Sequence, residues 1–194
     1  MGWSEDASGQ PPPIVLASTS PQRSAILPQL GIPFDVVAPD YEEVDGTSPL
    51  ERATGKARSV DGGGLPVLGV DTEVLFEGEL LGKPANAADA ERMLQALSGR
   101  THEVTSGLCL RTSTWEERGE ASTLVTFRTL TSHDVARYVA AKEWEGRAGA
   151  YAIQGLGAAL VERIDGDYLN IVGLPGALLV GLLASRLPGV YGFG

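Results

Sequence analysis

Ile14-Val15-Leu16-Ala17-Ser18-Thr19-Ser20-Pro21, near the start of the chain, is the segment that indicates the fold most directly. Its apolar first half has the character of a short strand. Ser20 is a favourable N-cap and Pro21 suits the first helical position, so a helix is predicted to start there. Gly31 provides a natural end for that helix. The segment therefore predicts a strand, a tight loop and a helix N-terminus in direct succession.

Strands and helices alternate at first along the rest of the chain, and strands cluster later. This order predicts an α/β or α+β fold in which helices cover the faces of a sheet. Apolar periodicity, caps and turns predict strand 34–37, helix 48–60, strands 66–70 and 74–76 with a turn at 77–78, a helix between Asn86 and Gly99, strands 101–111 and 122–130 joined by a polar loop at 115–119, a helix capped by Thr131 or Ser132, strand 158–164, and a final helix from Pro175.

The length of 194 residues suits one domain with a sizeable core, or a domain with a small appended lobe. Residues 1–13 are rich in Gly, Ser and Pro and are predicted to form a disordered tail, followed by a single domain over 14–194. The start lacks the basic and apolar regions of a signal peptide, and no apolar stretch reaches the length of a membrane span. A cytoplasmic protein without a membrane partner is therefore expected.

The net charge of −10 argues against binding to nucleic acid polymers, because such binding requires many phosphates to be neutralised. A small phosphorylated ligand stays open if the few basic residues converge. Cys109 is the single cysteine and there are two histidines, which argues against a disulfide framework or a zinc site. A metal ion here would be a hard cation such as Mg²⁺, held by carboxylates and water.

Several basic and hydroxyl side chains are candidates for binding phosphate. Ser18, Ser20 and Arg23 lie where the first loop enters a helix, and free amide groups at a helix N-terminus attract anions. Lys83 follows a glycine and precedes a proline, and Lys56 lies on the predicted second helix. The alternatives are an ordinary capped helix and exposed lysines without a ligand.

Carboxylates are candidates for holding a metal ion. Asp71 ends an apolar strand, where ligands bind in open α/β sheets, and Glu73 is predicted to point to the same face. Two carboxylates on one face would repel each other unless a cation lay between them. Glu42 and Glu43 lie in an acidic loop that is equally consistent with a solvated surface. Asp71 could also cap a turn.

An amide side chain is a candidate for reading a nucleotide base. Gln154 lies in a glycine-rich segment, 149–157, and its side chain offers both a donor and an acceptor. A tight loop in which Gln154 bonds only to the protein explains the same pattern.

Taken together, these blocks resemble the Maf family of nucleoside triphosphate pyrophosphatases over most of the chain, from Ile14 to about Leu183. The residues that carry the resemblance are Leu16-Ala17-Ser18-Thr19-Ser20-Pro21-Gln22-Arg23, Gly69-Val70-Asp71-Thr72, Gly82-Lys83-Pro84, Leu97-Ser98-Gly99 with Thr101-His102, Ala148-Gly149-Ala150-Tyr151 with Ile153-Gln154-Gly155, and Val172-Gly173-Leu174-Pro175.

The resemblance implies a mixed central sheet with flanking helices and a cleft between two lobes, as in inosine triphosphatases. It implies a house-cleaning enzyme that cleaves a nucleoside triphosphate to the monophosphate and pyrophosphate, using Mg²⁺, Mn²⁺ or Co²⁺, and it suggests a homodimer. By resemblance, Asp71 is the catalytic base and a metal ligand together with Glu43. The phosphate contacts fall on Ser20, Arg23, Lys56 and Lys83.

Three positions are expected to govern the choice of base, namely Gln22, Thr72 and Gln154. The last two are similar to those of the branch that acts on dTTP and UTP, whereas arginine is usual in that branch at the position of Gln22. Glu73 also departs from the family, which usually has an apolar residue there.

Two rival functions follow from the same residues. A phosphatase would use Asp71 as a covalent nucleophile, although Glu73 does not supply the second aspartate that such enzymes usually have. A nucleotide-binding regulator of cell division would bind nucleotide without turnover. Release of pyrophosphate distinguishes the predicted enzyme from both.

Overall fold

The computed structural model describes residues 11–194, in which the chain forms seven strands and six α-helices. The predicted tail therefore lies mostly outside the described residues. The strands are β1 (Ile14–Ala17), β2 (Phe34–Val37), β3 (Val67–Phe76), β4 (Glu79–Leu80), β5 (Thr101–Arg111), β6 (Glu116–Phe127) and β7 (Val161–Asp165). The helices are α1 (Pro21–Gln29), α2 (Pro49–Arg58), α3 (Ala87–Leu97), α4 (Ser132–Ala140), α5 (Tyr168–Val172) and α6 (Gly176–Arg186).

The strands form one mixed sheet, which confirms the predicted fold class. Its order is β2-β1-β3-β5-β6-β7, and β4 pairs with β3. β1 is parallel to both of its neighbours, with Ala17 opposite Val37 on one side and Gly69 on the other. β4 and β7 are antiparallel to their partners. The residues that follow Ala17 consequently lie beside those that follow Gly69.

Most helices begin where the capping residues predict. Ser48 and Thr131 each form a capping box, with Glu51 and Asp134 respectively, and Asn86 accepts a hydrogen bond from the backbone of α3. These side chains satisfy amide groups that the first helical turn leaves unpaired.

The predicted elements lack α5, the predicted strand 122–130 ends at Phe127, and the structure differs from the prediction in three further places. The predicted strands 66–70 and 74–76 are one strand, because the polar residues between them continue the extended backbone of β3. The predicted loop at 115–119 belongs largely to β6, where Glu116 is paired with Arg58 and with nearby arginines. Residues 156–160 form a short 3-10 helix, so that β7 starts later than predicted.

The chain divides into two compact units, whose boundaries fall within β3, β5 and β6 and directly after α5. The first comprises the described residues up to Thr72 together with Ser106–Ala121 and Gly173–Gly194, and the second comprises Glu73–Thr105 and Ser122–Val172.

Each unit has its own apolar core. The first contains a cluster that includes Val15, Ala57, Val67 and the fully buried Cys109, so that cysteine is a core residue. The second has a larger cluster that includes Phe76, Leu94, Phe127, Tyr138 and Tyr151. Within residues 11–194, none of the helices has the length and apolar character needed to cross a membrane.

Candidate active site

A close approach between α2 and β3 places the central group of polar side chains in the first unit. A methyl group on Gly69 would overlap the carbonyl oxygen of Ala53 and crowd the Cβ of Ala57, so only glycine allows this contact. Asp71 lies two residues further along the strand, on the same face as Gly69. The neighbouring helix positions, Arg52 and Lys56, are therefore held beside the Asp71 carboxylate.

Asp71 is buried between two cationic side chains of α2. Arg52 donates from Nε to Oδ2 at 2.6 Å, and Lys56 donates from Nζ to Oδ1. Each oxygen of the carboxylate thus has its own charged donor, and hydrogen bonds of this kind are stronger than neutral ones. The cations next to Asp71 in the structure are these two side chains.

Glu43 reaches the same lysine from the acidic loop. Lys56 Nζ donates to Glu43 Oε1 at 2.7 Å, and the Glu43 side chain is 60% exposed. The loop is fixed nearby because the ring of Tyr41 packs on the backbone of Gly55, where a side chain would overlap it. Asp71 and Glu43 therefore converge on one ammonium group.

This convergence fits a divalent cation. Mg²⁺ in nucleotide sites is commonly held by one or two carboxylates together with substrate phosphates. Glu43 and Asp71 provide two such carboxylates around the point that Lys56 Nζ contacts. Among residues 11–194, no three His, Cys, Asp or Glu side chains gather into a metal site.

Arg23 anchors a second group of polar side chains in the same unit. Its Nη1 donates to Ser18 Oγ at 3.0 Å, its Nε donates to the carbonyl oxygen of Gly173 at 3.0 Å, and its Nη2 lies 3.5 Å from Thr72 Oγ1. Thr72 Oγ1 is also 2.8 Å from the hydroxyl of the buried Ser106. Arg23 is thereby held in one orientation.

Burial lowers the pKa of the Arg23 guanidinium, and the negative charges of Asp71 and Glu43 oppose that shift. Their effect places Arg23 in the same electrostatic environment as Lys56. Three cations, Arg23, Arg52 and Lys56, thus accompany two carboxylates. These basic residues converge although the whole chain carries −10, and local convergence is the condition set above for binding a small phosphorylated ligand.

The N-terminus of α1 adds amide donors to this group. Ser20 precedes the helix, but its hydroxyl donates to Gln22 Oε1 at 3.1 Å. Among the described residues, no side chain caps the first turn of α1 as Ser48 caps α2. Its amide groups are therefore available to an anion.

The remaining candidates, Lys83 and Gln154, belong to the second unit. Both are exposed. A backbone contact joins the segment before Lys83 to the segment before Gln154. The amide group of Gly149 donates to the carbonyl oxygens of Leu81 and Gly82, both at 3.2 Å. Glu73, which was predicted to point to the same face of the strand as Asp71, also falls in the second unit.

Two residues of these polar groups, Arg52 and Ser106, were not predicted from the sequence. Arg52 carries a recognisable signal, since it precedes Lys56 by four residues and such positions share one face of a helix. Ser106 lies within β5 and has no such signal; its proximity to Thr72 depends on the arrangement of the sheet.

Comparison with known sequences extends these observations. The chain matches the family described as Maf-like protein over residues 13–186. A dTTP/UTP pyrophosphatase of Bacillus thuringiensis subsp. konkukian (strain 97-27) is 44% identical over 179 residues, which cover 86% of this chain and 92% of that protein. A protein of the same name from Symbiobacterium thermophilum is 46% identical over 170 residues, covering 84% of this chain and 88% of that protein. The matched range includes every candidate residue described above.

Proposed function

The chain belongs to the Maf-like protein family, and we propose that it hydrolyses a nucleoside triphosphate to the monophosphate and pyrophosphate. One observation carries the chemistry: the buried Asp71 carboxylate is held by Arg52 and Lys56 in the same unit as Arg23 and the α1 N-terminus. A carboxylate beside a cationic, amide-lined site combines a proton acceptor with a binding site for phosphate.

The proposed substrates are dTTP and UTP. The support is the name shared by relatives that are 44% and 46% identical over most of the chain. Thr72 and Gln154 are the proposed selectors of the base, with Gln22 as a third position. Gln154 is exposed, and its amide can both donate to and accept from a base edge.

The basic groups of the first unit are proposed to bind the triphosphate. Arg23 presents a guanidinium already oriented by Ser18 and Gly173, so little side-chain entropy is lost on binding. Ser20, the α1 amide groups and Lys56 add donors, and Lys83 of the second unit is a further proposed contact. These groups would stabilise the negative charge that builds up on the departing pyrophosphate.

Asp71 is proposed to be the general base. Its carboxylate would accept a proton from the water that attacks the α-phosphorus, while the bond from that phosphorus to the bridging oxygen breaks and pyrophosphate leaves. Glu43 and Asp71 would hold a divalent cation, namely Mg²⁺, Mn²⁺ or Co²⁺. When bound, such a cation would neutralise part of the phosphate charge. Lys56 would then donate to phosphate oxygens in place of the two carboxylates.

The test is to incubate the purified protein with Mg²⁺ and dTTP, UTP, 5-methyl-UTP, CTP, 7-methyl-GTP or ITP, and to measure pyrophosphate and orthophosphate separately. Pyrophosphate from dTTP or UTP supports the proposal in full. If pyrophosphate is released only from one of the other triphosphates, the proposed reaction stands and the proposed base preference is wrong. Orthophosphate as the first product would favour a phosphatase, and binding without turnover a regulator.

The cellular setting is part of the same proposal. We propose a cytoplasmic enzyme that acts as a homodimer on a small nucleotide. Light scattering coupled to size-exclusion chromatography tests the dimer, since a monomer of 20.3 kDa would contradict it.

A further inference from the structure

We propose that Arg52 is a positioning residue of this site, which orients the Asp71 carboxylate for proton transfer without binding the nucleotide itself. The inference rests on the proposed function and adds a residue that neither the sequence motifs nor the phosphate-binding groups include. Three features of the structure support it: the contacts of Arg52 with Asp71 and with Thr47, the division of the Asp71 oxygens between two cations, and the burial of the Arg52–Asp71 pair.

Arg52 is held at two points. Its Nε donates to Asp71 Oδ2 at 2.6 Å, and its Nη1 donates to the carbonyl oxygen of Thr47, immediately before α2. The guanidinium is planar, so the two contacts together fix its orientation. Asp71 is therefore attached, through Arg52, to the N-terminal end of α2.

The two cations of α2 contact different oxygens of Asp71. Arg52 takes Oδ2, while Lys56 takes Oδ1 and also binds the exposed Glu43. Lys56 is the partner that the proposed mechanism draws onto phosphate, whereas Thr47 keeps Arg52 in place. Rotation of the carboxylate would break the Arg52 contact, so Oδ1 stays directed to the side that Lys56 and Glu43 occupy.

Burial makes this contact strong enough to matter. The side chains of Arg52 and Asp71 are 13% and 10% exposed, so water screens them far less than it screens a surface pair. Loss of one partner of such a pair leaves a buried charge poorly compensated. Misplacement of a reacting group by about 1 Å can lower a rate about 100-fold.

The experiment compares Arg52→Gln and Arg52→Lys with wild type and with a matched control, Arg58→Gln. Arg58 lies on the same helix but is 59% exposed and pairs with Glu116. The measurements are kcat and KM for pyrophosphate release and the Kd of an α,β-imido triphosphate analogue that resists cleavage. Thermal unfolding verifies that each variant is folded.

Arg52→Gln is expected to lower kcat about 10- to 100-fold, with little change in KM or in the Kd of the analogue. Arg52→Lys keeps the charge but not the planar, two-point contact, so its kcat should lie between those of wild type and Arg52→Gln. If Arg52→Gln does not fold, Arg52→Lys provides the test, because it is expected to show a lower kcat with an unchanged KM. Arg58→Gln should retain the wild-type rate.

A double variant separates positioning from a general structural effect. In an Asp71→Asn background, Arg52→Gln should cause little further loss of kcat, because residues that act as one unit are not additive. Full additivity would overturn the inference. If Arg52→Gln raised only KM and Kd, Arg52 would bind the nucleotide itself, and the inference would be wrong. It would also be wrong if Arg52→Gln had the same kcat as Arg58→Gln. A wild-type protein that releases no pyrophosphate would overturn the proposed function and this inference together.

Discussion

Gly69 of β3 lies against Ala53 of α2 so closely that a methyl group on Gly69 would overlap the Ala53 carbonyl oxygen. Gly69→Ala should therefore push α2 away from the sheet and lower the free energy of unfolding by about 1–3 kcal/mol. Because α2 carries Arg52 and Lys56, pyrophosphate release should fall as well. Urea unfolding and a rate assay measure the two effects.

The control for this substitution is Gly181→Ala in α6. A Cβ at Gly181 would meet no atom within 4 Å outside the neighbouring backbone of its own helix, and alanine favours a helix over glycine by up to about 1 kcal/mol. Gly181→Ala should be neutral or stabilising. Equal destabilisation by both substitutions would show that the contact at Gly69 is unimportant.

Asp71→Asn should abolish most turnover while the protein still binds nucleotide. The amide keeps the shape of the side chain but cannot accept a proton as a base, and general-base catalysis typically contributes about 10²- to 10⁴-fold. The measurement is kcat for pyrophosphate release together with the Kd of the α,β-imido analogue. Asp35→Asn, at an exposed position of β2, serves as control. A rate close to wild type would rule out Asp71 as the base.

Lys56→Gln should strengthen the binding of a divalent cation in the absence of nucleotide. Lys56 Nζ contacts both Glu43 and Asp71, so its charge competes with a metal ion for the same carboxylates. Removal of that charge should raise the affinity for Mn²⁺ about tenfold, which corresponds to about 1.4 kcal/mol. Electron paramagnetic resonance of free Mn²⁺ measures it, with the exposed Lys142→Gln as control. Unchanged affinity would argue against a metal site at this point.

Thr72→Val should weaken both the fold and the binding of triphosphate. The substitution replaces the hydroxyl that contacts Ser106 and Arg23, and Ser106 is fully buried. A buried hydroxyl without its partner costs about 1–3 kcal/mol of stability, and a less constrained Arg23 should raise KM. The exposed Thr129→Val should change neither quantity. An unchanged KM would show that the Thr72 hydroxyl is not needed to hold Arg23 in position for the triphosphate.

The stability of the protein should fall as the pH drops from about 6.5 towards 4, partly because of His102. Burial lowers the pKa of His102 from 6.5 to about 4, so between these values the unfolded chain binds a proton that the folded chain does not. The ring is 2% exposed and contacts Tyr151 and Phe127. The shift corresponds to roughly 3 kcal/mol at most.

His102→Phe should flatten the dependence of unfolding free energy on pH over this range, while His133→Gln, at an exposed position, should leave it as in wild type. Urea denaturation at several pH values measures the slope. The same slope in His102→Phe and wild type would show that other groups cause the acid destabilisation.

The secondary structure was largely predictable because its signals are local. Ser48, Asn86 and Thr131 begin helices through contacts within a few residues of themselves, and those contacts are present in the structure. The strand prediction was interrupted at Asp71 because polar residues break an apolar run. In the structure β3 runs on through Asp71, whose buried charge is paired with two side chains of α2, and no local pattern reveals those pairs.

The amino-acid sequence by itself determined the order of strands and helices and the family, since caps, apolar periodicity and motif blocks are properties of short segments. Only the tertiary structure decided that Asp71 is shared by Arg52 and Lys56, that Lys56 also reaches Glu43, and that Arg23 is fixed by Gly173. The physical reason is distance along the chain. Arg23 and Gly173 are 150 residues apart, and only the packing of the first unit brings their atoms within 3.0 Å.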